Sequence, residues 1–140
     1  MLRVVLDVTV LVSAVIRRSG VPAAILNAWR AGQFELVVSN RLLAELRDVL
    51  ARPRIARFAT RAETEELVAA LELLGTLVGD LPPSERLVPG DPNDDYLVAL
   101  ARAGRAQVIV TGDVHLLELE LQPPAVTPQE FLLRLEQLPL

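Results

Sequence analysis

Apolar residues follow two rhythms along the chain. Short unbroken runs alternate with stretches in which apolar residues recur every three or four positions. The runs at 2–7, Phe34–Val38 and 107–111 read as buried, parallel-type strands. The periodic stretches read as helices with recognisable ends. Thr9 is the expected cap of a helix near 10–17. Pro22 stands in the first turn of one reaching about Arg30, and Gly32 ends it. Ser39 caps a helix to about Ala51, which Pro53 stops. A short turn through Ile55–Phe58 leads to Thr60, the cap of a long helix over 61–77, with Gly75 and Gly79 ending it. A proline-rich connection fills 79–90. Asp91-Pro92 opens the next helix, which closes at Gly104. A helical turn at 114–118, one short strand near Val126 and a helix from Pro128, capped by Thr127, complete the chain. This alternation predicts one α/β domain over 1–140, a three-layer α/β/α sandwich with a mostly parallel sheet of four or five strands.

The acids stand out against this pattern. Asp7 ends the first apolar run and Asp113 follows the third. Side by side, those strands open at their carboxyl ends into one crevice, where open α/β sheets bind ligands. Glu45 and Asp94 fall on helices between them. On the Ser39-capped helix, Leu42, Leu43, Leu46, Val49 and Leu50 fill a stripe of about 120°. Glu45 lies about 40° beyond its edge and Asp48 about 100° beyond, so Glu45 leans over the core and Asp48 faces water. On the helix after Asp91, Asp94 lies about 20° from Ala101, whereas Asp95 falls beside Arg102 on the polar side. Asp94 is therefore the inward member of that pair. Each acid also has an ordinary reading. Asp7 and Asp113 suit backbone caps, Asp94 the return half of a capping box, and Glu45 a solvated helix face. Four carboxylates in one crevice repel one another unless a cation joins them, which points to a hard divalent metal and metal-assisted hydrolysis.

Composition removes competing chemistries. All 14 basic residues are Arg and none is Lys, which excludes a P-loop nucleotide site and a Schiff-base lysine. No cysteine is present, so disulfides, thiolate nucleophiles and cysteine zinc sites are excluded. The single His115 rules out a multi-histidine metal site. An Asp-x-Asp phosphatase motif is lacking, since residue 9 is Thr. Net charge is −4, yet Arg47, Arg52, Arg54, Arg57 and Arg61 crowd one stretch and Arg17-Arg18 another. Such patches hold phosphates despite an acidic total. No apolar stretch approaches the roughly 18 residues that span a bilayer, and the start lacks the layout of a signal peptide. A cytoplasmic protein is the expectation.

Several segments together resemble the PIN-domain family, in the form found as the toxin of bacterial and archaeal toxin–antitoxin pairs. They are Val5-Leu6-Asp7-Val8-Thr9-Val10-Leu11-Val12-Ser13-Ala14, Val38-Ser39-Asn40-Arg41-Leu42-Leu43-Ala44-Glu45-Leu46, Asp91-Pro92-Asn93-Asp94-Asp95-Tyr96-Leu97-Val98-Ala99-Leu100-Ala101, Val110-Thr111-Gly112-Asp113 and Thr127-Pro128-Gln129-Glu130-Phe131-Leu132. The resemblance covers nearly the whole chain. It implies a Mg2+- or Mn2+-dependent ribonuclease with Asp7, Glu45, Asp94 and Asp113 as the metal-binding and catalytic acids. Thr9, Ser39, Asp95, Thr111 and His115 are the expected supporting residues, and Arg17, Arg52, Arg54 and Arg57 the expected contacts to RNA phosphates. Thr9 keeps a hydroxyl where the opening motif of the family ends, while Val8 replaces its polar middle residue. His115 stands where a further acid is common. The resemblance also implies a cognate antitoxin, for which the 21–31 and 61–77 helices offer an apolar groove, and a homodimer. The alternative is a PIN-like module that binds RNA or protein and cleaves little.

Overall fold

The structure, a computed structural model, describes residues 1–79 and 92–137, with side chains described from residue 95 onwards in the second stretch. The order is β1 (Arg3–Leu6), α1 (Val8–Ile16), α2 (Val21–Arg30), β2 (Glu35–Ser39), α3 (Asn40–Leu50), α4 (Pro53–Ala56), α5 (Arg61–Leu74), β3 (Thr76–Val78), α6 (Pro92–Ala103), β4 (Val108–Val110), α7 (Val114–Glu118), β5 (Ala125–Val126) and α8 (Pro128–Glu136). The sheet has five strands in the order β3-β2-β1-β4-β5, and every pairing is parallel. Expectation and structure agree on the layered α/β architecture.

The strand order fixes where a ligand site can lie. From β1 the chain moves outward through β2 to β3, then returns to place β4 on the other side of β1. Right-handed crossovers put helices made before and after that reversal on opposite faces. α6 accordingly packs across β1, β2 and β4, while α1 packs on α2 and α3, and α3 on α5. The reversal makes the gap between the carboxyl ends of β1 and β4 a topological switch point. Its register is Val4 with Val108, Val5 with Ile109 and Leu6 with Val110. The Asp7 N–H then donates to the Val110 carbonyl at 2.9 Å, which holds Asp7 level with the end of β4.

The core explains why these elements stay together. Leu6, Leu36, Ile109, Leu43, Leu46 and Phe131 are essentially fully buried. Phe131 of α8 meets Phe34 edge-on at 5.3 Å, tying the last helix to the start of β2. Each such Leu, Ile or Phe contributes about 1.5–3 kcal/mol through burial. Among the described residues no single helix is long and apolar enough to cross a membrane.

Three expectations are corrected. The helix expected over 61–77 ends at Leu74, and Thr76–Val78 form β3 instead. Gly75 lies so close to α5 and β2 that a Cβ there would sit 2.4 Å from the Leu71 carbonyl oxygen. Thr76, Leu77 and Val78 then pair with Val37, Val38 and Ser39. The open edge of β2 thus takes residues whose apolar spacing alone suits a helix. Thr9 does not cap α1: Asp7 does, accepting the Thr9 N–H at 3.4 Å, because β1 enters the helix without a loop. Pro53 stops α3 but also starts the single helical turn α4. The connection read at 79–90 and the Asp91 cap fall on 80–91, outside the described residues apart from Gly79.

Gly104 is a second close approach: a Cβ there would lie 2.4 Å from Val37 Cγ1. Gly104→Ala is expected to cost about 1–3 kcal/mol by forcing α6 off β2. Gly79→Ala, with open space around the added methyl among the described residues, is expected to stay within about 0.5 kcal/mol. Urea denaturation midpoints of the two variants check the contrast.

Candidate functional site

Two of the four expected acids meet at the switch point, and a buried hydroxyl joins them. Thr111 directly follows β4 and is fully buried. Its Oγ1 donates to Asp7 Oδ2 at 2.8 Å and accepts the Asp113 N–H at 3.0 Å. One side chain therefore orients the first carboxylate and positions the backbone of the second. Asp113 caps α7, accepting the His115 N–H through Oδ1 at 2.9 Å. The capping roles of Asp7 and Asp113 are thus real. They leave lone pairs on both carboxylates unused. Neither acid forms a salt bridge among the described residues. A cleft of about 440 Å³ opens over them, lined by Asp7, Thr9, Val10, Ser13, Pro22, Gly112, Asp113 and Pro128.

Glu45 approaches from α3. It is half-buried, while Asp48 one turn on is exposed, as the helical angles require. Partial burial and then the negative charge of Asp7 push its carboxyl above the usual range. Arg41 and Arg52 pull it back down, and Asp48 adds a small upward push. Asp7 and Glu45 therefore feel each other, and burial leaves their repulsion incompletely screened.

The Asp94 side chain lies outside the described residues. Its backbone belongs to the first turn of α6, the helix that packs on β1 and β4. Asp95 is half-buried. Arg102, expected beside Asp95, donates its Nε–H to the Gln122 carbonyl at 2.8 Å. Among the described residues no three His, Asp or Glu side chains converge as a complete set of metal ligands.

A residue that sequence reasoning missed ties α3 to α6. Ser39 accepts the Leu42 N–H at 3.2 Å as the cap of α3, and its buried Oγ is hydrogen-bonded to the Tyr96 hydroxyl. The Arg41 guanidinium lies 4.0 Å over the Tyr96 ring. This links the helix of Glu45 to the helix of Asp94. The available signal was a single Tyr in a buried helix, whose hydroxyl requires a partner. The remaining expected residues divide. Thr9 and His115 are exposed at the starts of α1 and α7, while Arg52, Arg54 and Arg57 cluster around α4. Arg17 follows the last residue of α1, about 15 Å of helix away from Asp7, and so belongs to another surface.

Comparison with known proteins gives this geometry a context. Residues 3–115 match the family model described as PIN domain. No curated protein matches the chain. Among solved structures, the crystal structure of PAE2754 from Pyrobaculum aerophilum superposes with a TM-score of 0.65. The match covers 99% of this chain and 91% of that one at 17% identity, a likeness of fold.

The raised Glu45 carboxyl has a consequence for stability. The folded state holds that proton more tightly than the unfolded chain, so the contribution is complete below the ordinary carboxylate range and is lost as pH rises through the raised value. Glu45→Gln is expected to raise the thermal midpoint modestly at pH 7–8, with the gain vanishing towards pH 4. Melting curves across that range check it; a constant offset would contradict the raised Glu45 carboxyl.

Proposed function

The chain belongs to the PIN domain family, and from that premise we propose that it is a divalent-metal-dependent endoribonuclease serving as the toxin of a toxin–antitoxin pair. The observation that carries the reading is the Thr111 bridge. It gathers two carboxylates, neither of them in a salt bridge among the described residues, at the switch point, with Asp7 within electrostatic reach of a third. Oxygen-only donors that repel one another suit Mg2+ or Mn2+. Asp7, Asp94 and Asp113 would hold the ion, with Glu45 joining directly or through water. Bound there, the ion supplies a polarised phosphate oxygen and a more acidic attacking water.

The protein's own groups do the rest. Thr111 fixes the direction of Asp7. Glu45, partly buried and within electrostatic reach of Asp7, would add a third carboxylate beside the ion. Ser39 and Tyr96 hold the helices of Glu45 and Asp94 in fixed relation. A protein that binds RNA in this cleft without cutting it is the second reading, and Val8 in the opening motif favours it.

A groove of about 560 Å³ between α1, α2 and α5 supports the proposed partner. Ala14, Ala23, Leu26 and Leu67 form its floor, with Arg30 and Glu66 among its charged lining. That combination suits an amphipathic antitoxin helix. The proposed homodimer is tested by light scattering, which is expected to give twice the 15.3 kDa chain mass; the monomer mass alone would contradict it.

Cleavage of single-stranded RNA is expected with Mn2+ or Mg2+ and not with chelator. Asp7→Asn is expected to lower the rate at least about 100-fold. Thr111→Val, which keeps the shape and removes the bridge, is expected to cost about 10–100-fold. Intact RNA with either metal, under conditions where the protein binds it, would establish the binding reading instead.

A further inference from the structure

The charge of this chain is unevenly distributed. From Arg41 to Arg61 six arginines stand against two acids, a formal +4, whereas the rest carries eight against sixteen. A net-acidic protein thus has one basic arm. Its fold decides what the arm presents. α3 ends at Leu50, and Pro53 opens the single turn α4. Ile55 packs on the core and Ala59 is buried, so the arm is pinned from beneath. Arg52, Arg54, Arg57 and Phe58 are left exposed. Arg47 is engaged by Glu65 and Glu72. Arg52, Arg54 and Arg57, by contrast, form no salt bridge among the described residues.

Phe58 is 43% exposed, and the Arg57 guanidinium lies 4.8 Å over its ring. An open aromatic beside a flat cation is a surface on which an unpaired base stacks. The arm also points back to the cleft. Arg41 stands one turn before Glu45 on α3, Arg52 follows two residues after that helix ends, and both arginines act electrostatically on Glu45. The inner end of the arm therefore adjoins the acid edge of the site.

We infer that the arm from Arg52 to Phe58 is a docking track for single-stranded RNA, with Arg52, Arg54 and Arg57 on backbone phosphates and Phe58 stacking a base. The inference rests on the cleft receiving RNA and adds where the flanking strand runs. An anionic membrane fits less well, because the adjoining cleft and the rest of the surface are acidic. One exposed Phe is also a small apolar wedge.

Binding is read apart from cleavage. The full chain carrying Asp7→Asn is titrated into a short fluorescent oligouridylate at several salt concentrations. Adding Arg54→Ala with Arg57→Ala is expected to weaken binding at least about tenfold and to flatten the slope of log K against log salt by about 1.4, roughly 0.7 per lost phosphate contact. Phe58→Leu is expected to weaken binding about tenfold with the slope unchanged, and Phe58→Tyr to restore it. Arg105→Ala, an exposed position before β4 and so at the end of the sheet away from the cleft, is expected to change neither.

An unaltered affinity in the double arginine variant would overturn the track. So would an equal loss in Arg105→Ala, or arm-dependent capture by phosphatidylserine vesicles without RNA binding. The wild-type chain is assayed for cleavage in parallel. Arm-dependent binding without cleavage ends the nuclease reading and leaves the track standing; cleavage with arm-independent binding overturns the track alone.

Discussion

The hydroxyl of Thr111 is the joint on which the site depends. It can donate one hydrogen bond and accept others. Here it donates to the carboxylate of Asp7 and accepts from the backbone of Asp113. Thr111 is completely buried, so its own side of each bond is withdrawn from solvent. A loss of either partner would strand a buried polar group, which costs more than the bond contributes when made. The ends of β1 and β4 are thereby locked not only by strand pairing but by the side chains that leave the sheet.

That lock turns a topological accident into chemistry. Reversing the strand order between β1 and β4 leaves a gap above their carboxyl ends. Backbone pairing brings Asp7 level with the end of β4, and Thr111 brings Asp113 beside it. α3 then adds Glu45, whose proton affinity is raised by partial burial and then by the charge of Asp7. Like charges held together by a rigid frame mark this end of the sheet as a candidate functional site. The Ser39–Tyr96 contact extends the frame to α6, so the helices that carry the two remaining acids are not free to drift.

The basic arm follows the same logic in reverse. Its arginines lie outside the repulsive cluster, supported from below by Ile55 and Ala59. Placing acids at the centre and guanidinium groups at the margin keeps the two kinds of charge on separate surfaces. A single mixed patch would neutralise itself through internal salt bridges, as Arg47 does with Glu65 and Glu72.

Much of this was legible in the chain. Apolar runs ending in Asp7 and before Asp113 marked two parallel strands, and caps at Ser39, Thr60 and Thr127 marked three helix starts, because those signals are local. Helical angles separated Glu45 from Asp48 for the same reason. The caps of Thr60 and Thr127 were found as expected, each accepting an N–H three residues on. What periodicity could not supply were the features made by partners distant in sequence. Thr76–Val78 became a strand because the edge of β2 lacked a neighbour, and Gly75 allowed the approach. Asp7 displaced Thr9 as the cap because the strand fed straight into the helix. Tyr96 found Ser39 across 57 residues, and Thr111 found Asp7 across 104. Sequence determined which residues carry charge and which segments bury themselves, since both follow from residue type and spacing. Only the tertiary structure decided which of those residues meet, because hydrogen bonds and charge repulsion act over ångströms in space and take no account of separation along the chain.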